Sequence, residues 1–135
     1  MKKEEIKIAI ENNDIKTLDM LATKNWLTKM ELLSMDNCPI KYIEQLSNDE
    51  DGLVKQYVAK HPNCPKEILE YFAKTTKDEN MIYKIVANPN VSEEALNIIS
   101  KNLYQTEDVF RIMVLNKNCS ENVLVTRSLY ASKIK

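Results

Sequence analysis

Apolar residues in this chain recur at short helical steps, and polar corners interrupt them at near-constant intervals. Leu69 and Phe72, with Ile68 and Tyr71 beside them, make one stripe; Leu96 and Ile99, with Ala95 and Ile98, make another. That spacing gathers apolar side chains on one side of an α-helix. No long apolar/polar alternation is present, and one glycine is too few for a hairpin-rich β fold. The pattern predicts an all-α protein.

The corners align with one another. They are Asp36-Asn37-Cys38-Pro39, Pro62-Asn63-Cys64-Pro65, Pro89-Asn90-Val91-Ser92 and Lys117-Asn118-Cys119-Ser120, with the asparagines 26, 27 and 28 residues apart. Six residues after each Asn stand Ile43, Leu69, Leu96 and Leu124; nine after stand Leu46, Phe72, Ile99 and Arg127. Four before it stand Leu33, Val86 and Val114, with Val58 taking that role one residue further back, as if the second unit carried an extra residue. Repetition at such a period is the mark of a stacked helical-repeat protein.

Each unit reads as two short helices. One begins at the Pro or Ser column, as in Pro65 to Ala73, with Pro placed at the first helical position, where its missing N–H costs nothing. Glu67, Glu93, Glu94 and Glu121 sit near these starts, where the helix dipole favours negative charge. The other helix runs through Met81 to Ala87, and Asp78 and Thr106 are expected to cap such helices. The Asn-Pro-Asn corner stops the helix, since a residue before Pro avoids the α region and Asn suits tight turns. One such pair cannot bury its apolar stripe alone; stacked pairs can, which predicts an α-solenoid of about four two-helix repeats. The expected layout is one domain over 1–135: an N-terminal helical cap over 1–26, repeats over 27–129 and a tail over 130–135. Residues Ala9 to Leu21 look weakly like the helical half of an ankyrin unit, but a polar-faced capping pair is the plainer reading.

Val86-Ala87-Asn88-Pro89-Asn90-Val91-Ser92-Glu93-Glu94-Ala95-Leu96 resembles the core of the leucine-rich-repeat variant family, whose pattern is Val-Ala-x-Asn-Pro-x-Thr-Pro-x-x-Leu. Val58 to Leu69 is similar to a second copy, and Val114 to Leu124 to a weaker third. The resemblance covers roughly residues 27–129. It implies a right-handed superhelix in which α-helices alternate with 3₁₀ helices, and it implies no catalytic residue. The longer period here favours full α-helices in both places, as in HEAT-type repeats. The family's Thr is replaced by Cys38, Cys64, Val91 and Cys119, and nothing matches the cysteine-rich segment with which one branch holds an iron–sulfur cluster.

Composition narrows the function. The chain has 135 residues, 44% hydrophobic and 29% charged, with 19 Lys plus Arg, 20 Asp plus Glu and a net charge of −1. The near-neutral balance counts against a broad nucleic-acid footprint. One Gly excludes glycine-rich phosphate loops, and one His excludes zinc sites of the HExxH kind. No apolar run reaches signal or spanning length, so the expectation is a cytoplasmic protein with no membrane partner. The heavy use of Lys, Ile and Asn hints at an AT-rich bacterial or mobile-element genome.

The three cysteines share one repeat column, so they should lie about a repeat apart, too far for one zinc ion or a disulfide. Small semi-buried residues at helix N-caps describe them better, although Cys64, near Lys60 and His61, is the thiol to test for reactivity. His61 stands three residues before Cys64 but occupies the corner slot that holds Asn88 in the next unit, so it reads as a corner polar residue. Glu93 and Glu94 point about 100° apart and do not converge. The corner asparagines are expected to bond backbone. Trp26, Tyr71, Phe72 and Phe110 are expected in or near the core.

A run of surface positions remains. After the apolar Val54, Ile82 and Phe110 come Lys55, Tyr83 and Arg111, then Gln56, Lys84 and Ile112. These predict a stripe on which a partner protein would dock, with Lys55, Gln56, Tyr83, Lys84 and Arg111 as the contact residues. The expected function is a protein-binding module, not an enzyme, needing no cofactor or metal and existing as a monomer or weak homodimer. A compact inhibitor or immunity-type binder is one form it would take. The competing class is a nucleic-acid-binding repeat protein using Lys24, Lys29, Lys55, Lys84, Arg111 and Arg127.

Overall fold

The computed structural model describes residues 3–101 and 107–131. Thr106, expected as a cap, lies outside them, as do the side chain of Arg127 and most of the expected tail. The described residues are helical and contain no strand. In chain order the helices are α1 (Lys3–Glu11), α2 (Ile15–Lys24), α3 (Trp26–Leu33), α4 (Ile40–Leu46), α5 (Gly52–Lys60), α6 (Lys66–Thr75), α7 (Glu79–Ala87), α8 (Glu93–Ser100), α9 (Glu107–Leu115) and α10 (Glu121–Ala131). Both members of each repeat are α-helices, as the long period suggests; the 3₁₀ alternation implied by the family resemblance is not seen among the described residues. The chain divides into two compact units, Met1–Cys64 and Pro65–Lys135.

In the first unit α1 packs on α2, α2 on α3, α3 on α5 and α4 on α5. The turn after α1 is a Schellman motif. The Asp14 N–H bonds the Ala9 carbonyl at 2.9 Å and the Asn13 N–H bonds that of Ile10 at 3.1 Å, with Asn13 at φ 52°. Asn accepts that left-handed conformation more readily than most residues. Asp14 then caps α2, its carboxylate accepting from the Thr17 hydroxyl at 2.7 Å and the Thr17 N–H at 3.2 Å. Those bonds, the hydroxyl's first, hold the carboxyl below its ordinary range. Ile6, Leu18, Leu21, Leu32, Ile43, Val54 and Val58 are fully buried. Each such side chain contributes about 1.5–3 kcal/mol relative to exposure.

In the second unit α7 packs on α9, α6 on α8, and α8 on α10, while α6 also meets α7. Leu69, Ile85, Val86, Val91, Ala95, Leu96, Val109, Met113 and Val123 are fully buried. Phe72 joins this core at 3% exposure, but Tyr71 at 57% and, in the first unit, Trp26 at 52% stand out in solvent. Helix direction explains Tyr71: it adjoins Phe72, so the turn that buries one exposes the other. Trp26 is the first residue of α3, at the rim of its apolar stripe.

Candidate functional site

The caps fix the register of the repeats. Asn25 caps α3 through Thr28, Asp51 caps α5 through Leu53, and Asp78 caps α7 through Asn80. Each capping residue lies twelve positions ahead of its corner asparagine, Asn37, Asn63 or Asn90. The second repeat therefore has no extra residue between cap and corner. The buried column is Leu32, Val58, Ile85 and Met113, all at 0% exposure, whereas Val114 of the expected column is 41% exposed. The variable period is taken up entirely between one corner and the next cap.

Each corner is a turn in which a backbone N–H bonds the carbonyl three residues back: Cys38 to Met35, Cys64 to His61, Val91 to Asn88 and Cys119 to Asn116, at 3.0–3.1 Å. The side chain opening the turn bonds its backbone as well. Asn88 Oδ1 accepts from the Asn90 N–H at 2.8 Å, and Asn116 Oδ1 from the Asn118 N–H at 2.9 Å. His61 does the same with Nδ1, which accepts from the Asn63 N–H at 3.0 Å. Nδ1 therefore carries no proton, and Nε2–H donates to the Met35 carbonyl at 2.8 Å. His61 imitates the asparagine of the other corners. Before Pro62 and Pro89, His61 and Asn88 have ψ of 134° and 127°, the extended shape that Pro imposes on its predecessor.

The corner asparagines reach back one repeat, as expected of them. In the first unit Asn63 Nδ2 donates to the Asp36 carbonyl at 2.7 Å. In the second, Asn118 Nδ2 donates to the carbonyls of Pro89 at 2.9 Å and Val91 at 2.7 Å, and Asn116 Nδ2 to those of Val86 and Asn88 at 2.9 and 3.0 Å. These amides satisfy carbonyls that the helix ends and turns leave over.

The cysteines fall one residue ahead of where the sequence puts them. Pro39 and Pro65 are themselves the N-cap residues, in extended conformation, so Cys38 and Cys64 precede the cap. Ile43 and Leu69 then lie at the fourth helical position, the pairing that staples a helix start to the core. Burial pushes both thiols up to about 12, and burial followed by the nearby Glu93 charge raises that of Cys119. With Nδ1 and Nε2 of His61 both engaged, no base is left for Cys64. Cys38 and Cys64 are packing thiols shielded from reagents, whereas Cys119 stays partly exposed. Among the described residues no group of three or more His, Cys, Asp or Glu could hold a metal ion.

Lys55 and Gln56 lie half-buried on α5, Tyr83 and Lys84 half-buried on α7, and Arg111 exposed on α9, 3.8 Å from Asp108. Counted from the caps and corners, Gln56 shares the column of Tyr83 and Arg111, whereas Lys55 falls in that of Ile82 and Phe110. Lys55 adds to the positive field at Asp49, whose Oδ2 accepts from Lys29 Nζ at 2.6 Å. Burial alone would raise the Asp49 carboxyl, but the Lys29 bond, the Asp51 N–H and both lysine charges outweigh it and hold it low. Three of the six cations proposed for a nucleic-acid face thus act on a carboxylate, Lys29 and Lys55 on Asp49 and Arg111 on Asp108.

One exposed cluster has no counterpart in the sequence reading. Leu27 and Leu53, each 52% exposed, occupy one column near the starts of the packed helices α3 and α5, with Trp26 beside Leu27. The same column holds Asn80 and Asp108 in the second unit. Counting from Asn25 and Asp51 would have exposed the pairing. Two open grooves of about 460 and 260 Å³ flank α1, the larger reaching the corner at Met35 and Asn37, the smaller reaching Asp14 and Thr17. The larger is also lined by Lys3, Glu4, Lys7, Ser34 and Asp36, with the Ser34 hydroxyl donating to the Glu31 carbonyl at 2.7 Å. Among the described residues no helix is long and apolar enough to cross a membrane. No family model matches this chain, and neither a curated protein nor a solved structure matches it.

Proposed function

We propose that this chain is a non-catalytic binding module, an α-solenoid of the leucine-rich-repeat-variant or HEAT-like kind that presents a preformed surface to another protein in a bacterial cytoplasm. The observation that carries the reading is the constant spacing from cap to corner. It sets like positions of packed helices side by side: Leu27 with Leu53 in the first unit, Tyr83 with Arg111 in the second. A surface held by buried columns on the inside loses little conformational entropy when it binds. Tyr, Trp and Arg, the residue types richest in binding hot spots, are among its exposed or half-exposed members. A small inhibitor or immunity-type binder is one form that such a module would take.

The test is affinity capture with the wild type beside a Lys55→Ala, Tyr83→Ala, Arg111→Ala variant and a Trp26→Ala, Leu53→Ala variant, each first shown folded by circular dichroism. A protein held by the wild type and lost by either variant supports the module and says which surface it uses. Recovery of nucleic acid that salt releases would favour the competing class. Capture of neither by the wild type refutes the binding-module reading.

A further inference from the structure

The first corner departs from the other three at one position. In those, the side chain that opens the turn accepts from the N–H of the corner asparagine: His61 for Asn63, Asn88 for Asn90 and Asn116 for Asn118. Met35 holds that place in the first corner and makes no such bond. The Asn37 N–H has no partner among the described residues, and neither has the Asn37 carboxamide. Asn63 and Asn118 each give Nδ2 to a carbonyl of the preceding corner. What adjoins Asn37 is instead the groove of about 460 Å³ beside α1.

The other polar groups of the groove are open as well. Lys3 and Lys7, one helical turn apart on α1, line it with Glu4 and Asp36, and none of the four is held in an ion pair. The groove therefore offers donors, in the Asn37 N–H, Asn37 Nδ2 and two ammonium groups, and acceptors, in Asn37 Oδ1 and two carboxylates. A peptide main chain presents both kinds in alternation. A phosphate chain presents acceptors only and would meet Glu4 and Asp36 with like charge. The volume is that of a ligand-binding cleft, for which ~300–1,000 Å³ is usual.

We propose that this groove takes a short acidic peptide segment of a partner protein. Asn37 Nδ2 donates to a main-chain carbonyl of the segment, as Asn63 Nδ2 donates to that of Asp36 at 2.7 Å. The Asn37 N–H donates to a second carbonyl, and Lys3 and Lys7 pair with an acidic side chain. Asn37 Oδ1, Glu4 and Asp36 accept from N–H groups of the segment. The corner is thereby used on both sides: the next repeat takes its Asp36 carbonyl, and its asparagine takes a carbonyl from outside. The proposal rests on the reading of the chain as a binding module and names the chemistry of what it binds.

Random heptapeptides displayed in many copies on phage, so that multivalency retains weak binders, are selected on the full chain. The most enriched sequence is then synthesised with blocked ends and titrated into the isotopically labelled chain. The expected results are an acidic residue at a fixed position of the selected sequences and shifts of the Asn37 backbone and side-chain NH signals. Asn37→Ala should weaken binding roughly fivefold, the worth of one hydrogen bond. Lys3→Ala with Lys7→Ala should weaken it further at low salt and less as salt rises. Asn37 bonds nothing in the fold, so its variant should keep the wild-type urea midpoint, whereas Asn63→Ala should lower it. Selection of no sequence overturns the proposal, and so does a peptide indifferent to both Asn37→Ala and the lysine variant. A partner protein captured equally by the wild type and Asn37→Ala removes this site and leaves the binding-module reading standing. Tighter binding of a DNA oligonucleotide than of any selected peptide overturns both.

Discussion

If His61 stands in for asparagine, then asparagine should replace it and alanine should not. His61→Ala removes the Nδ1 bond to the Asn63 N–H and the Nε2 bond to the Met35 carbonyl. Each contributes about 1 kcal/mol net, while the Met35 carbonyl keeps its bond from the Cys38 N–H at 3.0 Å. His61 is 2% and Met35 8% exposed, so water does not readily replace the lost partner. The sum, with the space the ring leaves, is roughly 3–4 kcal/mol. His61→Asn keeps an oxygen for the Asn63 N–H and an amide for the previous corner, as Asn116 has with Asn118 and Asn88. Its cost should stay below about 1 kcal/mol, the loss of some ring packing. In urea, with a slope of about 2 kcal/mol per molar, His61→Ala should lower the midpoint by roughly 1.5–2 M and His61→Asn by no more than about 0.5 M. Equal losses in the two variants would refute the mimicry and reduce His61 to a space-filling ring.

Two further outcomes follow from the buried ionisable groups. A thiol reagent added to native protein near neutral pH should modify Cys119, which is partly exposed, well before Cys38 and Cys64, which should react only as the chain opens; native labelling of Cys64 at the rate of a free thiol would contradict its burial. Cys38 and Cys64, each raised from 9.0 to about 12, and Tyr42, raised from 10.0 to about 12 by burial and then by its bond to Asp19, stay protonated in the folded chain after they have ionised in the unfolded one. The unfolded state then binds fewer protons, so stability falls as pH climbs from about 9 toward 12. The thermal midpoint should drop over that window, less steeply in Cys64→Ala, and an unchanged slope in that variant would refute the assignment to Cys64.

The helices, the corners and the Asp78 cap were legible because local chemistry writes them: apolar steps of three and four, Pro and Asn where a helix must stop, Asp before a helix start. The one-residue register of the second repeat was not. Val58 and Ala59 are both apolar and both fully buried, so the apolar pattern alone accepts either alignment, and only the spacing of Asp51 from Asn63 decides. His61 escaped for another reason. No residue-type rule equates imidazole with carboxamide; the equivalence lies in where an acceptor atom falls relative to the backbone. The Lys29–Asp49 and Tyr42–Asp19 bonds join residues 20 and 23 apart, and nothing local in the chain marks such partners. The candidate stripe was visible as residue types, while the exposure of Trp26 and of Leu53 was not, since apolar residues at the rim and in the centre of a stripe read alike.

The corner amides span sequence separations of 27 residues from Asn63 to Asp36, 28 from Asn116 to Asn88 and 29 from Asn118 to Pro89. Loop-closure entropy grows only as the logarithm of length, by roughly 0.6 kcal/mol for each doubling. Closing any one of these loops therefore carries nearly the same penalty as closing another. A residue added between a corner and the next cap changes that penalty negligibly and leaves the cap-to-corner distance untouched. Within each unit the chain can lengthen where its period already varies, and duplication or insertion at those connections would preserve both the hydrogen bonds of the corners and the pace at which successive repeats fold onto their neighbours.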